Sequence, residues 1–170
     1  MKKVALINLL LLLLLTCCTT QDHKLNLEHE RLIEANIINY LTYQNAKDKT
    51  NLNTIIAERF TRNMNGIQMV SNRNEHKASL QVFMVGFPDM IVTYPNKYIK
   101  DNEAFIHWIF TGTNTGVFGD VSATGKKVKI EGISHLYFNE YGKLIQEDVY
   151  YNELDLLQQI GYTLNRPIVE

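Results

Sequence analysis

With 17 Lys and Arg against 18 Asp and Glu in 170 residues, the chain has a formal net charge of −1, and it has no basic stripe of the kind that binds nucleic acid. Its two cysteines, Cys17 and Cys18, are adjacent near the N-terminus, so a domain that starts after them has no disulfide, cysteine nucleophile or thiolate metal site. The roughly 150 residues that follow are the usual size of one domain with its own core.

Met1, Lys2 and Lys3 precede a run from Val4 to Leu15 whose only polar member is Asn8. A short positive region followed by about 12 apolar residues reads as a signal peptide, too short for a bilayer core that needs roughly 20 in a helix. The run ends LLTCCTT, which resembles the bacterial lipobox in two registers. Leu15, Thr16 and Cys17 ahead of Cys18 fit that pattern better than Leu14, Leu15 and Thr16 ahead of Cys17. The expectation is a signal peptide over 1–17, lipidation at Cys18, a polar tether over 18–27 and a domain over 28–170. Such a protein is exported and held on the membrane of a bacterial cell envelope by acyl chains, each buried CH₂ contributing about 0.8 kcal/mol. Removal of Lys2 and Lys3 takes the charge to −1 − 2 = −3.

Within the domain, apolar residues at Leu32, Ile33, Ala35, Ile37, Ile38, Tyr40 and Leu41 recur near helical spacing and predict one long helix over 28–46. NLNTIIAERF, residues 51–60, predicts a second helix, and 75–86 a third, with NMNG at 63–66 as a break between them. After FPD at 87–89 the pattern changes. Segments 90–99, 104–115, 127–139 and 143–151 are rich in β-branched and aromatic residues and are separated by turn-formers, which predicts four strands in an antiparallel meander. Asn152 followed by Glu153, Leu154 and Asp155 reads as a helix cap, and Gly161 as the stop of a last helix. Helices first and strands afterwards imply an α+β domain, its helices packed on one face of a curved sheet.

Strand alternation sorts the side chains. Lys127, Lys129 and Glu131 share the outer face, so Val128, Ile130, Gly132, Ser134, Leu136 and Phe138 point to the core, and Ile133, His135 and Tyr137 point out. That outer face is less polar than a solvated one and hints at a partner subunit. In the last strand Leu144, Gln146, Asp148, Tyr150 and Asn152 oppose Ile145, Glu147, Val149 and Tyr151; neither set is cleanly apolar, and one of them lines a cavity with polar groups. In 104–111, Phe105, His107, Ile109 and Thr111 oppose Ala104, Ile106, Trp108 and Phe110, and the pattern does not decide which set is inside. His107, the only histidine of that strand, reads either as a satisfied structural residue or as a base. The five histidines, at 23, 29, 76, 107 and 135, form no i, i+4 pair for a metal.

GFPDM (86–90), TGTNTGVFGDVSATGKKV (111–128), GISHLYF (132–138), YGKLIQE (141–147) and YYNELDLLQQIG (150–161) stand in an order that resembles the SnoaL-like polyketide cyclase family, also called ester cyclases. The resemblance implies the NTF2-like fold, a cone of strongly curved antiparallel sheet around helices that encloses a pocket, usually in a homodimer. It also implies a pocket aspartate acting as general acid and base in a cofactor-free aldol ring closure. That aspartate's place is held here by Asn152, and Asn114 stands where the family commonly has histidine. A carboxamide has no useful basicity, so the family mechanism does not carry over unchanged.

Three functions follow from this reading. The first is a lipid-anchored domain whose pocket holds a small apolar or carbonyl-containing molecule without turning it over, with no cofactor. Its wall candidates are Trp108, Phe110, Asn114, Ser134, Phe138, Gln146, Tyr150 and Asn152. The second is a cyclase, isomerase or dehydratase that uses Asp148 or His107 as acid or base. The third is an interaction module that works through the outer sheet face.

Overall fold

A computed structural model describes residues 25–45 and 52–166. The signal peptide, Cys18 and most of the tether lie outside the described residues. Helix α1 occupies 25–45 and is already helical three residues before its expected start. It is followed by α2 (Leu52–Ile55), β1 (Ile56–Met64), β2 (Ile67–Val70), α3 (Arg73–Gly86), β3 (Ile91–Lys100), β4 (Glu103–Thr113), β5 (Lys127–Phe138), β6 (Leu144–Tyr151) and α4 (Glu153–Ile160). The six strands form one mixed sheet in the order β2-β1-β6-β5-β4-β3. β3 to β6 make the expected antiparallel meander, while β1 runs parallel to β6 and pairs with β2 in a hairpin. The chain is therefore α+β, with its first helices ahead of the sheet and a short helix after it. The sheet is open, since its edge strands β2 and β3 do not pair with each other, and it is mixed and not strongly curled, where a strongly curved antiparallel cone was expected. None of the described helices is long and apolar enough to cross a membrane.

The helix expected over 51–60 is the main correction. Only its first turn, Leu52–Ile55, is helical, and the chain is a strand from Ile56 onward. Ala57, Glu58 and Arg59 favour helix locally, but the pairing of Ile56 and Thr61–Met64 with β6 and of Arg62–Met64 with β2 outweighs so small a preference. The break at 63–66 is the hairpin turn itself. Asn65 and Gly66 have φ of 52° and 85°, as a two-residue turn matching the strand twist requires.

Helix α1 buries Ile33, Ile37, Tyr40 and Tyr43, spaced three and four apart, against the sheet's inner face. Buried Asn36 on the same stripe donates to Ile55 O (2.9 Å) and Gly142 O (2.6 Å), which ties α1 to the end of α2 and to the β5–β6 turn. At the end of α1, Asn45 donates to Val92 O (2.9 Å) and accepts from Val92 N (2.8 Å). It satisfies the edge strand just before its register slips around Pro95, a residue that sheets admit only at edges or bulges. Helix α3 begins at Asn72, whose side chain accepts from Glu75 N (3.0 Å), while Glu75 accepts from Ser71 N (2.7 Å). This reciprocal cap starts the helix two residues earlier than expected.

Candidate functional site

The sheet's inner face and the helices over it leave a cavity in which a water-sized sphere can move through about 90 Å³, several times the roughly 10–15 Å³ that one water needs. Strand alternation supplies most of its wall. Ile106, Trp108 and Phe110 come from β4, which settles the face that the sequence left open. Ile130, Ser134 and Leu136 come from the face of β5 predicted to point inward. Gly132 lies opposite Trp108, where a Cβ would collide with the indole ring and with Tyr150 O. The missing side chain lets the tryptophan lie against β5.

Strand β6 departs from simple alternation. Tyr137 pairs with Gln146 but Phe138 pairs with Leu144, so Ile145 has no opposite number. The extra residue is a bulge, and it reverses the pleat of everything before it. Leu144 therefore points inward, and so do Glu147 and Val149 beyond the bulge. Gln146, Asp148 and Tyr150 point to the outer face.

Glu147 is the polar centre of the cavity. It is directly opposite Arg62 in the parallel β1–β6 register, and Arg62 Nε donates to its Oε2 at 3.0 Å. Ser134 Oγ donates to Oε1 at 2.7 Å, and Tyr40 OH reaches Oε2 at 3.4 Å. Burial by itself would raise the Glu147 pKa, but Arg62, His76 and the Ser134 hydroxyl outweigh it and hold the carboxyl below its ordinary value. Arg62 has its own pKa raised: burial opposes the charge, and Glu147 more than restores it.

Behind Tyr40 lies His76, from the first turn of α3, with its Nε2 2.7 Å from the phenol oxygen. Burial, chiefly, lowers its pKa to about 4, so the ring is neutral near pH 7. The Nδ1 atom is buried and without a hydrogen-bond partner, and a bare ring nitrogen there costs less than an unbonded N–H. That assigns the proton to Nε2: His76 donates to Tyr40, and Tyr40 donates to Glu147. Higher on the wall Tyr94 OH donates to Gln44 Oε1 at 2.7 Å. Burial raises the pKa of Tyr40 and of Tyr94 well above the ordinary phenol value, and burial lifts Tyr151 to about 12.

Of the residues singled out in the sequence, the fold brings Trp108, Phe110 and Ser134 together on the cavity wall. Phe138 is buried elsewhere, among Ile37, Ile55 and Leu144. Asn114 is fully buried as a knot, not a wall: its Nδ2 donates to Gly86 O (3.1 Å) and Gly116 O (2.9 Å), and its Oδ1 accepts from Thr124 N and Oγ1, both at 2.9 Å. It pins the β4–β5 loop to the end of α3. Asn152 is exposed and caps α4, accepting from Asp155 N at 3.1 Å. Asp148 accepts from Asn63 (2.6 Å) and Gln146 (3.0 Å) on the outer face. His107 is on the same outer face, 3.2 Å from Glu131. Neither proposed acid–base residue reaches the cavity, because both belong to the set whose side chains alternate away from it.

The sequence reading missed Glu147, Arg62, His76 and Tyr40. Glu147 stands between the apolar inward pair Val149 and Tyr151 and the bulge, and its company with them was the available signal. Arg62 had none, because the segment leading to it read as a helix.

The family model for SnoaL-like polyketide cyclases matches residues 37–160. The chain belongs to the SnoaL-like family. Solved structures agree in fold. A SnoaL-like protein from Jannaschia sp. CCS1 superposes with a TM-score of 0.71 at 16% identity, over 79% of this chain and 95% of the other. AclR from Streptomyces galilaeus gives 0.69 at 17% identity, over 81% and 90%. PhzB2, a phenazine biosynthesis-related protein from Pseudomonas aeruginosa, gives 0.65 at 13% identity, over 85% and 95%. No match was found among curated protein sequences. Membership in the SnoaL-like family agrees with a cavity suited to a small molecule, and Asn152 lies outside the cavity lining.

Proposed function

We propose that this SnoaL-like domain holds a small, largely apolar molecule in its cavity and does not carry out the family's aldol ring closure. The observation that carries the reading is the state of Glu147. It is the acidic residue on the cavity wall, both of its oxygens accept hydrogen bonds, and Arg62 holds it ionised. A carboxylate so stabilised is a poor proton acceptor, since basicity falls with pKa. An acid–base enzyme in this chain would have to run on Glu147, not on Asp148 or His107. The apolar wall built by Phe83, Ile106, Trp108 and Phe110 supports an apolar ligand body.

The test is native mass spectrometry of the chain from Thr19 onward, with analysis of whatever is released on denaturation. One defined small molecule per subunit, recovered unchanged after incubation, is the expected result. Steady conversion of a bound carbonyl compound, abolished in Glu147→Gln, would replace this reading with the enzymatic one.

The reading extends to the chain's location. The segment 1–17 serves as a lipoprotein signal, Cys18 carries the lipid and the domain hangs from a bacterial envelope membrane. Metabolic labelling with a radioactive fatty acid is expected to mark the wild type and not Cys18→Ala. The outer face, with Phe105 and Ile133 about half exposed, supports a homodimer. Ile133→Glu is expected to give a monomer by light scattering.

A further inference from the structure

Among its described residues, helix α1 buries no apolar side chain before Ile33. Its first two turns, residues 25–32, stand beyond the core and carry three leucines, Leu25, Leu27 and Leu32, exposed by 58, 44 and 47%. Two turns of helix have little stability of their own. Two long hydrogen bonds tie them to the β3–β4 turn, Asn26 Nδ2 donating to Asp101 Oδ1 and Asp101 N to Glu30 Oε1, both at 3.4 Å. On another flank Leu32 lies over Gly142, where a Cβ would collide with it, and the adjoining Tyr141 is 71% exposed. Phe138 N donates to Asn102 O at 2.8 Å and joins the β3–β4 and β5–β6 turns. The first turns of α1 and these two turns therefore form one end of the domain. The long β4–β5 loop lies at the other end, a full 11-residue strand away, or about 35 Å.

The position of Cys18 says what covers the leucine-bearing end. Seven residue steps separate Cys18 from Leu25 (25 − 18 = 7), and seven steps span at most about 25 Å in any conformation. An acylated Cys18 holds Leu25 within that distance of its bilayer. Charge does not oppose the approach, since Glu28, Asp101 and Glu140 at this end are matched by Arg31, Lys100 and Lys143. A tyrosine suits a boundary that is apolar on one side and wet on the other.

We propose that this end of the domain is a membrane-facing surface: Leu25 and Leu27 enter the interfacial layer of the bilayer that carries the lipid, and Leu32 and Tyr141 rest at headgroup level. The inference rests on the lipoprotein reading above and deepens it. An anchor at one point leaves a domain free to turn, whereas a second contact fixes which end faces the membrane, and buried apolar area supplies that contact.

The test uses the mature lipidated protein in phosphatidylethanolamine–phosphatidylglycerol vesicles that contain a lipid with a nitroxide just below its headgroup. Cleavage removes Cys17 and acylation caps Cys18, so one new cysteine takes a fluorophore. Glu140→Cys places it beside Tyr141 and Asp120→Cys places it in the β4–β5 loop; both residues are exposed. Strong nitroxide quenching at 140 and none at 120 is the expected result, with quenching at 140 lost when Leu25→Gln and Leu27→Gln are added. Quenching at 140 that survives those two changes overturns the role of the leucines. Equal quenching at both positions, or none at either in protein that floats with the vesicles, overturns the membrane-facing end and leaves the lipid anchor standing. Protein that does not float with the vesicles overturns the lipoprotein reading and this inference with it.

Discussion

Two neighbouring rungs of the parallel β1–β6 ladder, Arg62 opposite Glu147 and Asn63 opposite Asp148, show how one step along a strand changes the fate of a carboxylate. Glu147 points in, is buried, and is held by a guanidinium and two hydroxyls. Asp148 points out and meets two side-chain amides on a half-solvated face. The same contrast separates the histidines. His76 is buried, neutral and hydrogen-bonded to a phenol, whereas His107 and His135 lie outside against Glu131 and Glu103 at 3.2 and 2.7 Å. Residue type therefore says little about role in this fold, and the side of the sheet says much more.

The contrast breaks most visibly if one partner of the inner rung is removed. Arg62→Ala leaves a buried carboxylate unpaired and is expected to destabilise the domain by about 3–5 kcal/mol in urea unfolding. The paired Arg62→Met and Glu147→Gln variant is expected to recover most of that loss. Equal losses in the two would mean that the guanidinium contributes packing and not charge compensation.

The next effect is one of pH. The His76 pKa is lowered from 6.5 to about 4 in the folded protein, so between those values the unfolded chain binds the extra proton. Stability then falls as pH drops from about 6.5 to 4, by an amount on the order of 3 kcal/mol. The Glu147 pKa is also lowered on folding; its contribution is present above the ordinary carboxylate range and is lost as pH falls through the folded value. His76→Gln, which keeps a donor to Tyr40, is expected to flatten the upper part of this profile in thermal unfolding and to leave the acid limb in place.

Smaller changes are expected outside the cavity. Asn152→Ala removes the α4 cap and should cost about 1 kcal/mol, with no change in ligand binding; weakened binding would return Asn152 to the site. Glu131→Gln, which removes the exposed partner of half-buried His107, should shift stability by less than about 1 kcal/mol.

How much of this was legible follows from what each feature depends on. The β3–β6 meander and the inward face of β5 depend on period-two patterning and turn-formers inside each segment, and the sequence displays both. The cap at Asn152 is equally local. Strand β1 was hidden because Ala57, Glu58 and Arg59 mimic a helix, and its partner β6 lies more than 80 residues away in sequence; only the Asn65–Gly66 turn announced it. The bulge at Ile145 was invisible because it exists only relative to β5. Without β1 and the bulge, the Arg62–Glu147 pair could not be placed, and attention fell on Asp148, which stands next to the right residue on the wrong face. The wall residues Trp108, Phe110 and Ser134 needed only alternation.

The most direct test of the central claim, that Arg62 holds Glu147 ionised so that it is not a base, is the titration of its carboxyl carbon by NMR from pH 2 to 8. A midpoint below the ordinary glutamate value of about 4.3, rising in Arg62→Lys, is the predicted result. A midpoint near 6 or above, the range of a working general base, would contradict it.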